Sequence, residues 1–416
     1  MSSRYTDNRE NERINKQPKW FRLFGIIFAV VLVIALICAG VFYYFGHSLI
    51  SLTNFVSEQD TAIVKEEDLP EEARETVAEE DRKGTVLNES ELDQLHDRMS
   101  AVDTKIQTVS NEDVYNFVLV GVDRRDKSWN GNSDSMMLVS INFKKERISI
   151  ISIMRDTYVD IPEVGYNKLN NSYARGGGKL LCATITNNFN IDVSRYAAVD
   201  FENMIDIIDA LGGIDIEWTD AEIEVANGYI RDMCDTLGVD AWDHLLPLGG
   251  NWHCDGIQAV AYARNRFVGN SDYARTERQR YVIGQIVKEV QKMNVPQLMS
   301  FARKVLPLIT HNIKETDIWE LITKAPAILN YSFVKDRVPY DGLYTTINVG
   351  NEDMLSPDWE QTILQMHETI YGEGTVSNND DNDEANRTKK NMEFTDEFNS
   401  MTGNSGQKAG ENARQG

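Results

Sequence analysis

Apolar residues are placed along this chain in several textures, each predicting a different kind of element. From Leu23 to Phe45 no residue is charged and most are Ile, Val, Leu, Phe or Ala. At roughly 1.5 Å per residue such a run spans the roughly 30 Å hydrocarbon core of a bilayer, which predicts a transmembrane helix. Residues 58–112 are rich in Glu, Asp, Lys and Gln, with Leu92, Leu95, Met99, Val102 and Ile106 at helical spacing, the pattern of a stalk or short helix. Three runs, 116–123, 135–142 and 147–153, are mostly apolar on both faces and predict central strands. From 178 to 290, helical segments at 179–189, 202–210, 255–264 and 272–293 alternate with strands at 196–200 and 214–217, and more helix follows to about 330. This alternation predicts an α/β/α sandwich with a central mixed sheet, preceded by one N-terminal transmembrane helix. The boundaries are an N-terminus over 1–22, the membrane helix over 23–45, an acidic stalk over 46–112, the main domain over 113–372 and a polar tail over 373–416. The tail has too few apolar residues to offset the entropy of ordering and is expected to be disordered.

Charge orients this layout. Six Lys/Arg against three acids precede the apolar run, and Trp20-Phe21 and Tyr43-Tyr44 sit where interfacial belts belong, so the N-terminus is expected inside and the remainder outside, a single-pass type II protein of the cell membrane. A cleaved signal peptide is the competing reading, but the run exceeds an ordinary signal core and no clean small-x-small site follows it. The formal net charge of -23 argues against nucleic acid as a partner. Of four cysteines, Cys38 lies in the membrane run; Cys234 and Cys254 form a plausible loop-closing pair, and Cys182, inside an apolar helical pattern, reads as a buried thiol.

Several residues could carry chemistry. Asp123 ends an apolar strand, where ligands bind in open α/β sheets, and is followed by Arg124-Arg125; Asp134 begins the next strand. Two carboxylates joined by one loop suit a hard cation such as Mg²⁺, and their spacing equally fits two loop acids facing water. Met154-Arg155-Asp156 places a guanidinium and a carboxylate at the end of the third strand, either a phosphate contact or a structural ion pair. Lys168-Leu-Asn170 and Gly176-Gly-Gly178 lead into a helix whose N-terminus could hold an anion, although a solvated loop Lys is the simpler reading. Ala263-Arg264-Asn-Arg266 is followed by Asp272, Arg275, Arg278 and Gln279, an arginine cluster in an acidic chain. Arg275 and Gln279 at i and i+4 share a helix face, so the cluster could bind a pyrophosphate; composition alone also allows surface ion pairs. No Gly-x-Ser-x-Gly elbow occurs, and the six His have neither metal nor triad spacing.

Taken in order, Gly121-Val-Asp123, Ser133-Asp134-Ser-Met-Met, Ser152-Ile-Met-Arg155-Asp156-Thr, Lys168-Leu-Asn170, Asp209-Ala-Leu-Gly-Gly213 and Ala263-Arg-Asn-Arg266 with Asp272 and Arg275 through Gln279 resemble the LytR-CpsA-Psr family over roughly 115–290. The resemblance implies that 113–372 is an extracytoplasmic catalytic domain with C-terminal helices. It implies a phosphotransferase that moves a glycopolymer (teichoic acid, capsule or other wall polysaccharide) from a polyprenyl pyrophosphate carrier to a peptidoglycan hydroxyl through a phosphodiester. Alternatives are a hydrolase of the same pyrophosphate and a non-catalytic sensor of envelope lipids. Carried over, Asp123 and Asp134 would coordinate Mg²⁺, while Arg125, Arg155, Lys168, Arg264, Arg266, Arg275 and Gln279 would hold the pyrophosphate. Asp156 would either orient Arg155 or act on the acceptor hydroxyl, making Arg155 and Asp156 the catalytic pair. An apolar tunnel for the isoprenoid tail is implied as well. Two departures stand out: Asn132 where the family often has Arg, and Met154 where it usually has Pro, with Arg124 or Arg125 available to replace the missing charge.

Overall fold

The computed structural model describes residues 46–57, 62–70, 82–103, 106, 108–124, 128–269, 271–328 and 330–372. The apolar run 23–45, Arg125 and the tail 373–416 lie outside the described residues, and no helix among those described is long and apolar enough to cross a membrane. Residues 46–52 form a unit of their own, helical over 46–50.

From Thr53 onward the chain builds a mixed seven-stranded sheet. Its strands are β1 (Asn54–Phe55), β3 (Val114–Asp123), β4 (Asn132–Asn142), β5 (Arg147–Ile153), β8 (Tyr196–Asp200), β11 (Thr310–His311) and β12 (Ser332–Val338), in the order β1-β11-β8-β3-β4-β5-β12. The strand β2 (Thr85–Val86) lies outside this sheet and pairs with a C-terminal hairpin. At the centre β3 pairs antiparallel with β4 and parallel with β8, and the long apolar runs of β3 to β5 are covered on both faces, as expected of central strands.

Alternation along the strands divides their side chains between two layers of helix. On one face Val118, Val120, Val122, Met136, Leu138 and Ile151 form a core with α1 (Glu89–Asp103), α2 (Leu169–Phe189) and, from the C-terminus, the helix Trp359–Tyr371. On the other face stand α3 (Phe201–Leu211), α4 (Asp220–Leu237), α5 (Gly256–Arg264) and α6 (Ser271–Gln291), which with the ribbon of β9 (Ile214–Trp218) and β10 (Gly250–Cys254) enclose a second core around Ile208, Ile216, Ile230 and Val260. Three of these helix starts are capped as the local sequence dictates: Asp200 accepts from the Asn203 backbone amide ahead of α3, and Thr219 and Asp255 open α4 and α5 with reciprocal capping boxes.

Three expectations change. The short helix expected before the domain forms as α1, but it is no spacer, because Leu95, Met99 and Val102 are buried in the first core. The helix expected over 179–189 begins at Leu169 and runs through the glycine run with a kink, at which Gly176 and Gly177 leave helical geometry. Cys234 and Cys254 are not bonded: both are free and buried, Cys234 on α4 and Cys254 beneath Trp218, whose indole N–H lies 3.3 Å from its sulfur. Burial pushes the Cys254 thiol up to about 11, and that of Cys182, also free and buried, up to about 12.

Candidate functional site

The charged cluster forms where β3, β4 and β5 end. Gly121 pairs with Ser135 but Val122 pairs with Ser133, so Asp134 is an extra residue in β4, a β-bulge. Strict alternation would place Asp134 with Met136 and Leu138 under α2; the bulge releases it from that face. Its carboxylate instead takes Nη1 of Arg155 at 2.8 Å, while Nη1 of Arg275 on α6 stands 3.9 Å away. Burial pushes this carboxyl up, but the guanidinium groups of Arg155, Arg275 and Arg266 outweigh burial and hold it below the usual carboxylate range. Asp123, opposite Asn132 in the ladder, lies 3.8 Å from Nη2 of Arg264, whose guanidinium also stacks over Phe201 and Tyr229.

The Arg155-Asp156 turn is held by its backbone. The Met154 amide donates to Val338, the Asn170 amide donates to the Arg155 carbonyl, and the Leu355 amide donates to the Asp156 carbonyl. The two Asp156 oxygens face Arg155 Nε at 3.4 Å and Lys168 Nζ at 3.1 Å, and Lys168 also pairs with Glu352 at 3.4 Å. Lys168 is therefore a buried member of an ion-pair chain, not a solvated loop residue.

The arginine motif divides by role. Arg278 is buried, paired with Glu222 of α4 at 2.9 Å, and donates to the carbonyls of Asn265 and Val268, which fixes the loop that follows Arg264 and carries Arg266. Arg266 is exposed, its guanidinium over the Phe267 ring. Arg280 donates to Ser152 Oγ at 2.8 Å. Gln279, one turn beyond Arg275, lines a cavity of about 170 Å³ between the sheet and α3, α5 and α6. Its walls are otherwise mostly apolar, with Leu119, Met137, Phe201, Met204, Val282 and Ile283 among them. The charged cluster stands at its edge: Gly121, Ser135 and Ala263 are wall residues, and Asp123, Asp134 and Arg264 lie one or two positions from them.

The structure thus brings together Asp123, Asp134, Arg155, Arg264, Arg266 and Arg275, with Asp156 and Lys168 behind Arg155 and Gln279 inside the cavity. Arg125 lies outside the described residues. Arg124 does not join the cluster: it pairs with Asp200 at 3.3 Å and lines a different cavity, so it does not replace the charge missing at Asn132. Glu352 escaped the reading of the sequence, since it sits on a hairpin strand far along the chain with no motif around it. Among the described residues no group of three or more His, Cys, Asp or Glu could hold a metal. Two carboxylates on the paired strands β3 and β4, Asp123 and Asp134, nevertheless fit the chemistry of Mg²⁺, which accepts one or two protein carboxylates and takes its remaining ligands from phosphate oxygens and water.

A LytR_cpsA_psr family model matches residues 76–366. A relative from Enterococcus faecalis described as polyisoprenyl-teichoic acid–peptidoglycan teichoic acid transferase TagU is 33% identical over 50% of this chain and 63% of its own length. Biofilm regulatory protein A of Streptococcus mutans is 29% identical over 64% of this chain and 65% of its own. The chain thus spans a little under two thirds of the length of these relatives. A solved structure of TagT bound to LI-WTA aligns at a TM-score of 0.50 and 22% identity, covering 64% of this chain and 95% of that one, a likeness of fold.

Proposed function

Since the chain belongs to the LytR-CpsA-Psr family, we propose that it is a phosphotransferase that moves a wall glycopolymer from a polyprenyl pyrophosphate carrier to a peptidoglycan hydroxyl. The observation that carries this reading is a cluster of arginines and carboxylates at the edge of an apolar cavity, the two halves of a lipid pyrophosphate. Teichoic acid is the glycopolymer named for the relative from Enterococcus faecalis, and it is the substrate proposed here. Residues 23–45 would anchor the chain as a single-pass type II membrane protein with the folded domain outside.

The isoprenoid would enter between the sheet and α6, leaving its pyrophosphate beside Arg155, Arg264, Arg266 and Arg275. Guanidinium groups suit this task because they contact phosphate in two places and stay charged. Both oxygens of Asp156 face cations, which favours its role as the group that orients Arg155 over that of a base. The acceptor oxygen bonds to the glycan-side phosphorus, the bridging P–O bond breaks with its electron pair, and the acceptor proton leaves with polyprenyl monophosphate. Catalysis here is positioning plus neutralisation of charge spread over the phosphoryl oxygens. Mg²⁺ held by Asp123 and Asp134 would add to that neutralisation when bound.

The test uses the full chain in detergent with a polyprenyl-pyrophosphate oligosaccharide and peptidoglycan fragments, followed by mass spectrometry with and without Mg²⁺. Glycan phosphate on the fragment, lost in Arg275→Ala, is the expected result. Monophosphate released without an adduct would replace transfer by hydrolysis, and binding without turnover would leave a lipid sensor.

A further inference from the structure

The sheet carries a second cavity, of about 280 Å³, on the face opposite the apolar one. Alternation creates both: Leu119, Gly121, Ala197 and Val199 look toward α3 and α6, whereas Val122, Tyr196, Ala198 and Asp200 look toward α2. Val199 stands at the strand end, where it borders both. The second cavity opens at the same strand ends as the charged cluster, since Arg124 on its wall directly follows Asp123.

Its chemistry differs from that of the first. The charged residues on the wall are Arg124, which pairs with Asp200, and Lys179, which is exposed, so its net charge is small. Three polar residues of the wall bear on what it could hold. Arg124 Nε is buried without a hydrogen bond. Tyr173, only 7% exposed, brings a phenol ring and its hydroxyl to the wall. Asn203 donates from its side-chain Nδ2 to the Leu308 carbonyl, which leaves Oδ1 as the acceptor of that amide. Beside them the Tyr196 ring and Ala198 offer an apolar surface. Donors and acceptors beside an aromatic ring, with no large net charge, suit the hydroxyls and C–H face of a sugar. The volume falls near the lower end of ligand pockets, about 300 Å³, and so fits one ring and not a chain.

Direction selects which sugar. In phosphoryl transfer the attacking and leaving oxygens stand roughly in line across phosphorus. The leaving polyprenyl phosphate belongs to the apolar cavity on the α6 face, so the attacking hydroxyl must arrive from the opposite, α2 side. We infer that the cavity bounded by Arg124, Tyr173, Tyr196, Asp200 and Asn203 is the acceptor subsite, holding one pyranose of the peptidoglycan glycan and presenting its hydroxyl to the phosphorus. This assignment rests on the transferase reading above and names where its second substrate sits.

Tyr173→Phe removes a hydroxyl and Asn203→Ala a side-chain amide, the latter together with its bond to the Leu308 carbonyl, and neither residue belongs to the charged cluster. With full chain in detergent, each variant is expected to raise the acceptor KM by about two- to tenfold, the range of one neutral hydrogen bond, and to leave the KM for the lipid-linked donor within twofold. In parallel, the N-acetylglucosamine–N-acetylmuramic acid disaccharide is titrated onto wild type and both variants, with binding read by saturation-transfer NMR. Transfer with an unchanged acceptor KM overturns the subsite and leaves the transferase standing. Disaccharide binding weakened by Tyr173→Phe in a protein that shows no transfer supports the sugar site and removes the transferase. A variant that raises the donor KM equally, or a wild type that binds no disaccharide and transfers nothing, overturns the assignment.

Discussion

Removing the Arg155 guanidinium would leave Asp134 as a buried carboxylate with its shortest contact gone. Breaking a buried pair from one side costs about 3–5 kcal/mol, because the remaining charge keeps its desolvation penalty. Arg155→Ala is therefore expected to lower the urea midpoint strongly, and the double change Arg155→Met with Asp134→Leu to recover much of the loss; a midpoint unchanged in Arg155→Ala would show that the carboxylate is solvated. Acid stability carries a second residue-scale signature. His367 is fully buried beside the Phe189 carbonyl, and burial holds its imidazole below the ordinary value of about 6.5. A depressed folded value means that the unfolded chain takes up the proton first as pH falls. Stability from neutral His367 is thus complete above about pH 6.5 and is lost on acidification toward the folded value. Asp134, also depressed but a carboxylate, adds a loss only below about pH 4. Urea midpoints between pH 7 and 5 should fall in wild type and fall less in His367→Gln, the remainder coming from His96 and His311, which burial also depresses; an equal fall in the variant would place the titration elsewhere.

At the scale of elements, the kink of α2 links sequence to site. Gly177 has φ of 62° and ψ of -159°, a conformation essentially reserved for glycine, and a Cβ on Gly178 would stand 2.4 Å from the Tyr196 ring. The glycine run therefore lets the helix bend and press on β8, which shapes the wall of the polar cavity. Gly178→Ala is expected to cost about 1–3 kcal/mol through overpacking, read as a lower thermal midpoint, whereas Gly228→Ala on α4, where a Cβ meets nothing within 4 Å, should not destabilise. Equal midpoints for the two would mean that Tyr196 moves aside freely. The central strands β3 to β5 were legible because long apolar runs leave few alternatives, and β5 begins and ends where the pattern places it, whereas β11 and β12 of the same sheet were not read as strands. The bulge at Asp134 was not legible, since an extra residue in one strand shows only against its partner.

Across the whole molecule, the two helical layers do not meet the sheet equally. On the α2 side one continuous core joins sheet and helices, while on the α6 side the second core closes among helices and the β9–β10 ribbon, leaving the apolar cavity against the sheet. Met204→Trp should fill that space: the expected outcome is a folded protein that no longer releases polyprenyl monophosphate, checked by thermal midpoint beside turnover. Full turnover in the variant would remove the cavity from the proposed function. By itself the sequence determined the class of fold and the order of the charged motifs, because strand periodicity, helix caps and short motifs are local properties of the chain. It also showed that arginine and carboxylate recur at strand ends. Only the tertiary structure decided which of them meet: Arg275 reaching Asp134, Lys168 bridging Asp156 and Glu352, Arg278 serving the loop, and Arg124 turned to the other face. Those partners lie far apart along the chain, and which side of the sheet a residue occupies depends on a register that a single bulge can reverse.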